Sequence, residues 1–163
     1  MSIRGGSSTS SETGSVTIGT AKSNGVGSTG RVRIVTGNSV QNAAGSIALS
    51  TGISQNGEGG TIELKVGNSA GAVGGDIFVS AGNSEMLTGG SVALSTGSSS
   101  QTSSGDLTIQ TASAGIKGSS GAVQISTGTT SGGSSGSILL STGNTISDDD
   151  TGSGGISILT GST

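Results

Sequence analysis

Gly136-Ser137-Ile138-Leu139-Leu140-Ser141-Thr142-Gly143-Asn144 is the stretch on which the fold turns. Its template is Gly, any, apolar, any, apolar, any, Thr, Gly, polar. Ten copies of it run through the 163 residues, starting at Gly14, Gly30, Gly45, Gly60, Gly75, Gly90, Gly105, Gly121, Gly136 and Gly154. Six of the nine intervals are 15 residues, two are 16 and the last is 18. A fixed short period is the mark of a repeat architecture, in which one unit cannot bury its apolar stripe alone.

The third position of each copy is Val16, Val32, Ile47, Ile62, Ile77, Val92, Leu107, Val123, Ile138 and Ile156. The fifth is Ile18, Ile34, Leu49, Leu64, Val79, Leu94, Ile109, Ile125, Leu140 and Ile158. A spacing of two puts both on one face of an extended chain. The seventh position shares that face and is Thr in eight copies, with Val66 and Ala81 as exceptions. Apolar replacements there predict a position at least half-buried, a Thr hydroxyl being satisfied by a neighbouring Thr or by backbone. The intervening residues, such as Ser46, Ala48 and Ser50, face outward, as do Phe78 and the charged Arg31, Arg33, Glu63 and Lys65.

The eighth position is Gly in eight copies and Ala at Ala21 and Ala112. A Gly after a strand predicts a positive-φ turn, and Asn38, Asn68, Asn83 and Asn144 at the ninth position suit the same region. The remaining residues vary, are rich in Gly, Ser and Ala, and return the chain to its next start. Met86 and Leu87 in this half are expected to help fill the core.

These features predict an all-β fold: a β-solenoid, or parallel β-helix, of 15-residue coils. It would have ten to eleven coils, no helices, and parallel strands about 4.8 Å apart. The whole of 1–163 reads as one repeat domain, with a loop insertion near 147–151. The Gly14 and Gly105 copies both carry Ala at position eight and are followed by 16-residue spacings, so a six-coil super-repeat overlies the short one. Neither end carries a polar cap, which points to a section of a longer array or to coils stacking end to end.

Composition bounds the function. Gly is 34 of 163 residues, the apolar fraction is 28%, Phe78 is the single aromatic, and Pro, Cys and His are absent. A Gly/Ser linker shares that composition but has no need of strict apolar periodicity. The formal charge of −3, without a basic patch or aromatic platforms, argues against nucleic acid. No apolar run reaches membrane-spanning length, and the sequence from Met1 to Gly6 has no signal-peptide h-region.

Chemical motifs are weak. Gly25 to Gly30 fits GxGxxG, but no helix follows. Gly67-Asn68-Ser69-Ala70-Gly71 and Gly132 to Gly136 fit GxSxG, yet without His no Ser-His-Asp triad exists. Asp148, Asp149 and Asp150 form the one acidic run; a Ca²⁺ contact is weighed against a solvated loop, and the loop is favoured. Glu12, Glu58, Glu63 and Glu85 fall at different registers, so no paired carboxylates for glycoside hydrolysis are expected. The expectation is therefore a non-enzyme with no catalytic residue, metal or cofactor.

The phrase Gly45-Ser46-Ile47-Ala48-Leu49-Ser50-Thr51-Gly52, its counterparts at 90–97 and 136–143, and the segment 104–115 resemble the long Gly/Ser/Thr-rich 15-residue repeat regions of predicted diatom and algal proteins. That resemblance covers essentially the whole chain. It implies a large secreted or surface-attached protein and assigns no activity.

The leading expectation is a structural module: a stiff rod from a longer extracellular fibrous, cell-surface or adhesive protein, self-associating end to end or laterally. Ice binding through flat Ser/Thr/Ala faces is the first alternative, although Arg31, Arg33, Glu63, Lys65 and Phe78 interrupt those faces. A polysaccharide- or mineral-binding surface of Ser, Thr and Asn is the second.

Overall fold

A computed structural model describes residues 2–9, 12–146 and 152–161. The expected insertion near 147–151, with Asp148, Asp149 and Asp150, lies outside the described residues. The chain divides into two units, Met1–Val79 and Ser80–Thr163.

No helix and no β-strand is present among the described residues, so the expected β-solenoid is not what the chain forms. The repeat instead runs as irregular chain in which most copies carry a short bend. Bends fall at 25–27, 40–42, 55–57 and 70–72 in the first unit and at 85–87, 100–102 and 131–133 in the second, where the Gly105 copy has a turn at 116–117 instead. Ladder pairing between copies is missing among the described residues. The backbone bonds that do form are local: Gly14 N donates to Gly6 O at 2.9 Å, Gly90 N to Gly82 O at 2.9 Å and Gly105 N to Gly97 O at 3.0 Å. The last two join the eighth position of one copy to the first of the next, and each of the three closes a short ring.

The expected core is also overturned. The third-position residues are 49–59% exposed and the fifth-position residues 64–87% exposed. Met86 and Leu87, expected to fill a core, are almost fully exposed, as is outward-facing Phe78. The physical reason is the missing layer. A stripe on one face is buried only when another element lies over it, and rings closed within eight residues bring none. The accessible surface is 16614 Å², where a compact chain of this mass would show about 7,000 Å² and an unfolded one about 22,000 Å². The chain lies nearer the open limit.

The register nevertheless survives. The third column is the less exposed of the two apolar columns, and most apolar residues outside both columns are more exposed still. At the seventh position Ala81 is intermediate and Val66 is 39% exposed, but the Thr residues are all exposed, so the column expected to be half-buried is not.

Candidate functional site

The recurrent structure is a junction between copies, built from two residue types. The seventh-position side chain lies against the first Gly of the next copy. A Cβ built on Gly30 would meet Thr20 Cγ2 at 3.1 Å, one on Gly60 would meet Thr51 Cβ at 2.9 Å, and one on Gly75 would meet Val66 Cγ1 at 2.6 Å. In the second unit the same approach joins Gly90 to Ala81 at 3.3 Å and Gly136 to Thr127 at 3.5 Å. Separations below about 3 Å are closer than carbon atoms approach in ordinary packing contacts. At Gly60 and Gly75 the glycine is therefore required for space, while at Gly105, Gly136 and Gly154 the approach is an ordinary contact.

The eighth position behaves oppositely. Cβ atoms built on Gly37, Gly52, Gly67, Gly82, Gly97, Gly128 and Gly143 meet nothing within 4 Å. Among the described residues no Gly or non-Gly residue has positive φ. The positive-φ turn expected at the eighth Gly, and the same conformation expected at the ninth-position Asn residues, are thus corrected. At Gly82 and Gly97 the eighth residue serves through its carbonyl, which accepts from the next first-position amide.

Sequence reading missed the residue that shapes the return. The tenth position is Ser39, Ser54 and Ser69 in the first unit and Ser84 and Ser99 in the second. Each hydroxyl oxygen accepts a bond from the backbone N–H three residues on: Asn42 at 3.1 Å, Gly57 at 2.9 Å, Ala72 at 3.0 Å, Leu87 at 3.0 Å and Thr102 at 2.9 Å. Local bonding of this kind is why Ser favours turns over regular structure. The signal was a Ser at one fixed offset, hidden by variation on both sides. The 16-residue copies depart from it. Ser23 donates to Gly27 O at 2.7 Å, and where Ala114 replaces Ser, Gly118 N donates to Gly115 O at 3.2 Å.

Chemical groups do not converge. Lys65 Nζ lies 3.7 Å from Glu63 Oε1, with both side chains well exposed on the outward positions of one copy. An open depression beside them is lined by Lys65, Val66, Gly67 and Asn68. Among the described residues no group of three or more acidic, His or Cys side chains could hold a metal ion. Nor is any helix among them long and apolar enough to cross a membrane. The glycines of the GxGxxG match, Gly25 to Gly30, flank a bend at 25–27. In the GxSxG match, Ser69 holds the amide of Ala72 rather than facing a base.

No family model matches the chain, and neither a curated protein nor a solved structure matches it.

Proposed function

We propose that this chain is a non-enzymatic structural module from a longer extracellular fibrous, cell-surface or adhesive repeat protein. The observation that carries this reading is the junction between copies. The contact of a seventh-position residue with the next first-position Gly recurs from Gly30 to Gly154 at each successive copy start. A chain built from one repeated junction has properties that scale with copy number, as in other repeat proteins. Every apolar column is likewise repeated from copy to copy.

Tandem fusions of one, two and three chain lengths test the reading by atomic force or negative-stain electron microscopy. Contour length rising in proportion to copy number, at an unchanged force per extension step, is the expected result. A length-independent particle, or thermal-hysteresis activity with ice shaping, would overturn it, the latter in favour of ice binding. Pull-down on insoluble polysaccharide or silica separates the surface-binding alternative.

A further inference from the structure

We infer that Asn24 and Asn56 are sites of intramolecular deamidation, and that the hydroxyl of Ser54 makes Asn56 the slower of the two.

The sequence places the reacting groups side by side. Of the seven Asn residues, only Asn24 and Asn56 precede a Gly. The residue after an Asn supplies the attacking nitrogen, and a Cβ on that residue stands in the way; Gly has none. Asn38, Asn68 and Asn83 precede Ser, Asn42 precedes Ala and Asn144 precedes Thr. Both Asn24 and Asn56 are exposed, so water reaches them. Each lies in the return half of its repeat, at or beside the bends 25–27 and 55–57, where no helix or strand holds the backbone.

The step balances with water as its co-reactant. The Gly amide nitrogen gives its proton to hydroxide and forms a bond to Cγ of the Asn. The bond from Cγ to Nδ2 breaks, and ammonia leaves with a proton taken from water. Water then opens the resulting succinimide at either carbonyl. Cleavage between nitrogen and Cγ leaves Asp. Cleavage between nitrogen and the Asn backbone carbonyl leaves isoaspartate, whose main chain runs through Cγ and is longer by a methylene. Either product adds a negative charge.

The two sites differ in what holds the attacking nitrogen. Gly57 N donates to Ser54 Oγ at 2.9 Å. A Cβ built on Gly57 would meet that same oxygen at 3.2 Å. The amide must give up its hydrogen to attack, and the bond to Ser54 goes with it; the imide nitrogen carries no hydrogen with which to restore it. Beside Asn24 the hydroxyl is turned elsewhere, since Ser23 Oγ donates to Gly27 O at 2.7 Å. Among the described residues the Gly25 amide has no hydrogen-bond partner. A Cβ built on Gly25 would meet nothing within 4 Å. The nitrogen next to Asn24 is free to attack, and the one next to Asn56 is held.

The intact chain, incubated in mildly alkaline buffer, supplies the test. Peptide mapping by mass spectrometry follows the mass gain at each Asn, and enzymatic methyl transfer locates the isoaspartate. Asn24 should convert about five-fold faster than Asn56, the ratio that one hydrogen bond implies. Ser54→Ala should raise the Asn56 rate by about the same factor and leave Asn24 as it was. In concentrated urea, where the Ser54 turn is lost, the difference between the two sites should shrink. Asn56 converting as fast as Asn24 in the intact chain, or an Asn56 rate that ignores Ser54→Ala, would overturn the role of Ser54. Conversion at Asn38, Asn68 or Asn83 ahead of Asn24, or none at Asn24, would overturn the choice of sites.

Discussion

Within each repeat, the nine-residue phrase and the return that follows it meet opposite needs. The return satisfies its polar groups within itself, as Ser54 does when it accepts the Gly57 amide at 2.9 Å. The phrase holds the apolar columns, and nothing within the repeat covers them: Ile47 and Leu49 are both exposed. A hydrogen bond can be made with a neighbour three residues away. Burial of a stripe needs a second surface. The two halves show that local polar chemistry and apolar burial are separate demands, and that this sequence meets the first in cis.

The sharpest way to break that contrast is to disturb the junction where the halves meet. Gly60→Val would place a Cβ 2.9 Å from Thr51 Cβ, an atom that cannot move without its backbone. Overpacking of this kind costs about 1–3 kcal/mol, and no backbone bond between Gly52 and Gly60 holds this junction closed. The clash wins, and the junction opens. Loss of nuclear Overhauser contacts between residues 51 and 60 checks it; their persistence would show that the close approach is not a constraint.

Next in size is the return. Ser54→Ala removes the acceptor of the Gly57 amide, and its hydrogen exchange should accelerate about five-fold, as loss of roughly 1 kcal/mol implies. Ser50→Ala, in the phrase, should leave that rate unchanged. A smaller effect is expected at the eighth position. Gly67→Ala meets nothing within 4 Å and should alter neither the Val66–Gly75 contact nor the Ser69 turn, by the same nuclear Overhauser measurement. Least of all, Glu63→Gln should leave amide exchange in its repeat unchanged at any salt concentration, since so exposed an ion pair contributes little.

Register was legible in the sequence because it is a property of spacing. The order of exposure, with Val32 below Ile34 and Phe78 near the top, follows the alternation read from the residues. The β-solenoid was not legible in the same way. Alternation says which face Ile62 and Leu64 share, but what covers that face is a matter of long-range pairing, and no ladder forms among the described residues. The two glycine columns were read in the wrong order of importance. Gly at the first position served only to mark each start, while the eighth drew the conformational argument; at Gly60 and Gly75 space reverses that, since Ala is accepted at Ala21 and Ala112. The tenth-position Ser column passed unnoticed because its role is set by one oxygen and not by apolar pattern.

The small rings closed by Gly82 O and Gly90 N, and by Gly97 O and Gly105 N, store slack. Eight residues of chain reach about 27 Å when drawn out, yet a single bond of 2.9 Å gathers the segment from Gly82 to Gly90. Tension applied along the chain falls on these exposed bonds before any covalent link, so the rings yield one at a time and the chain lengthens in steps without breaking. Single-molecule stretching should record increments of roughly 20 Å for each ring released. A smooth curve without increments would show that the rings carry no load. Stepwise release makes a strand that absorbs work as it extends, and that recovers its length when the same local bonds re-form.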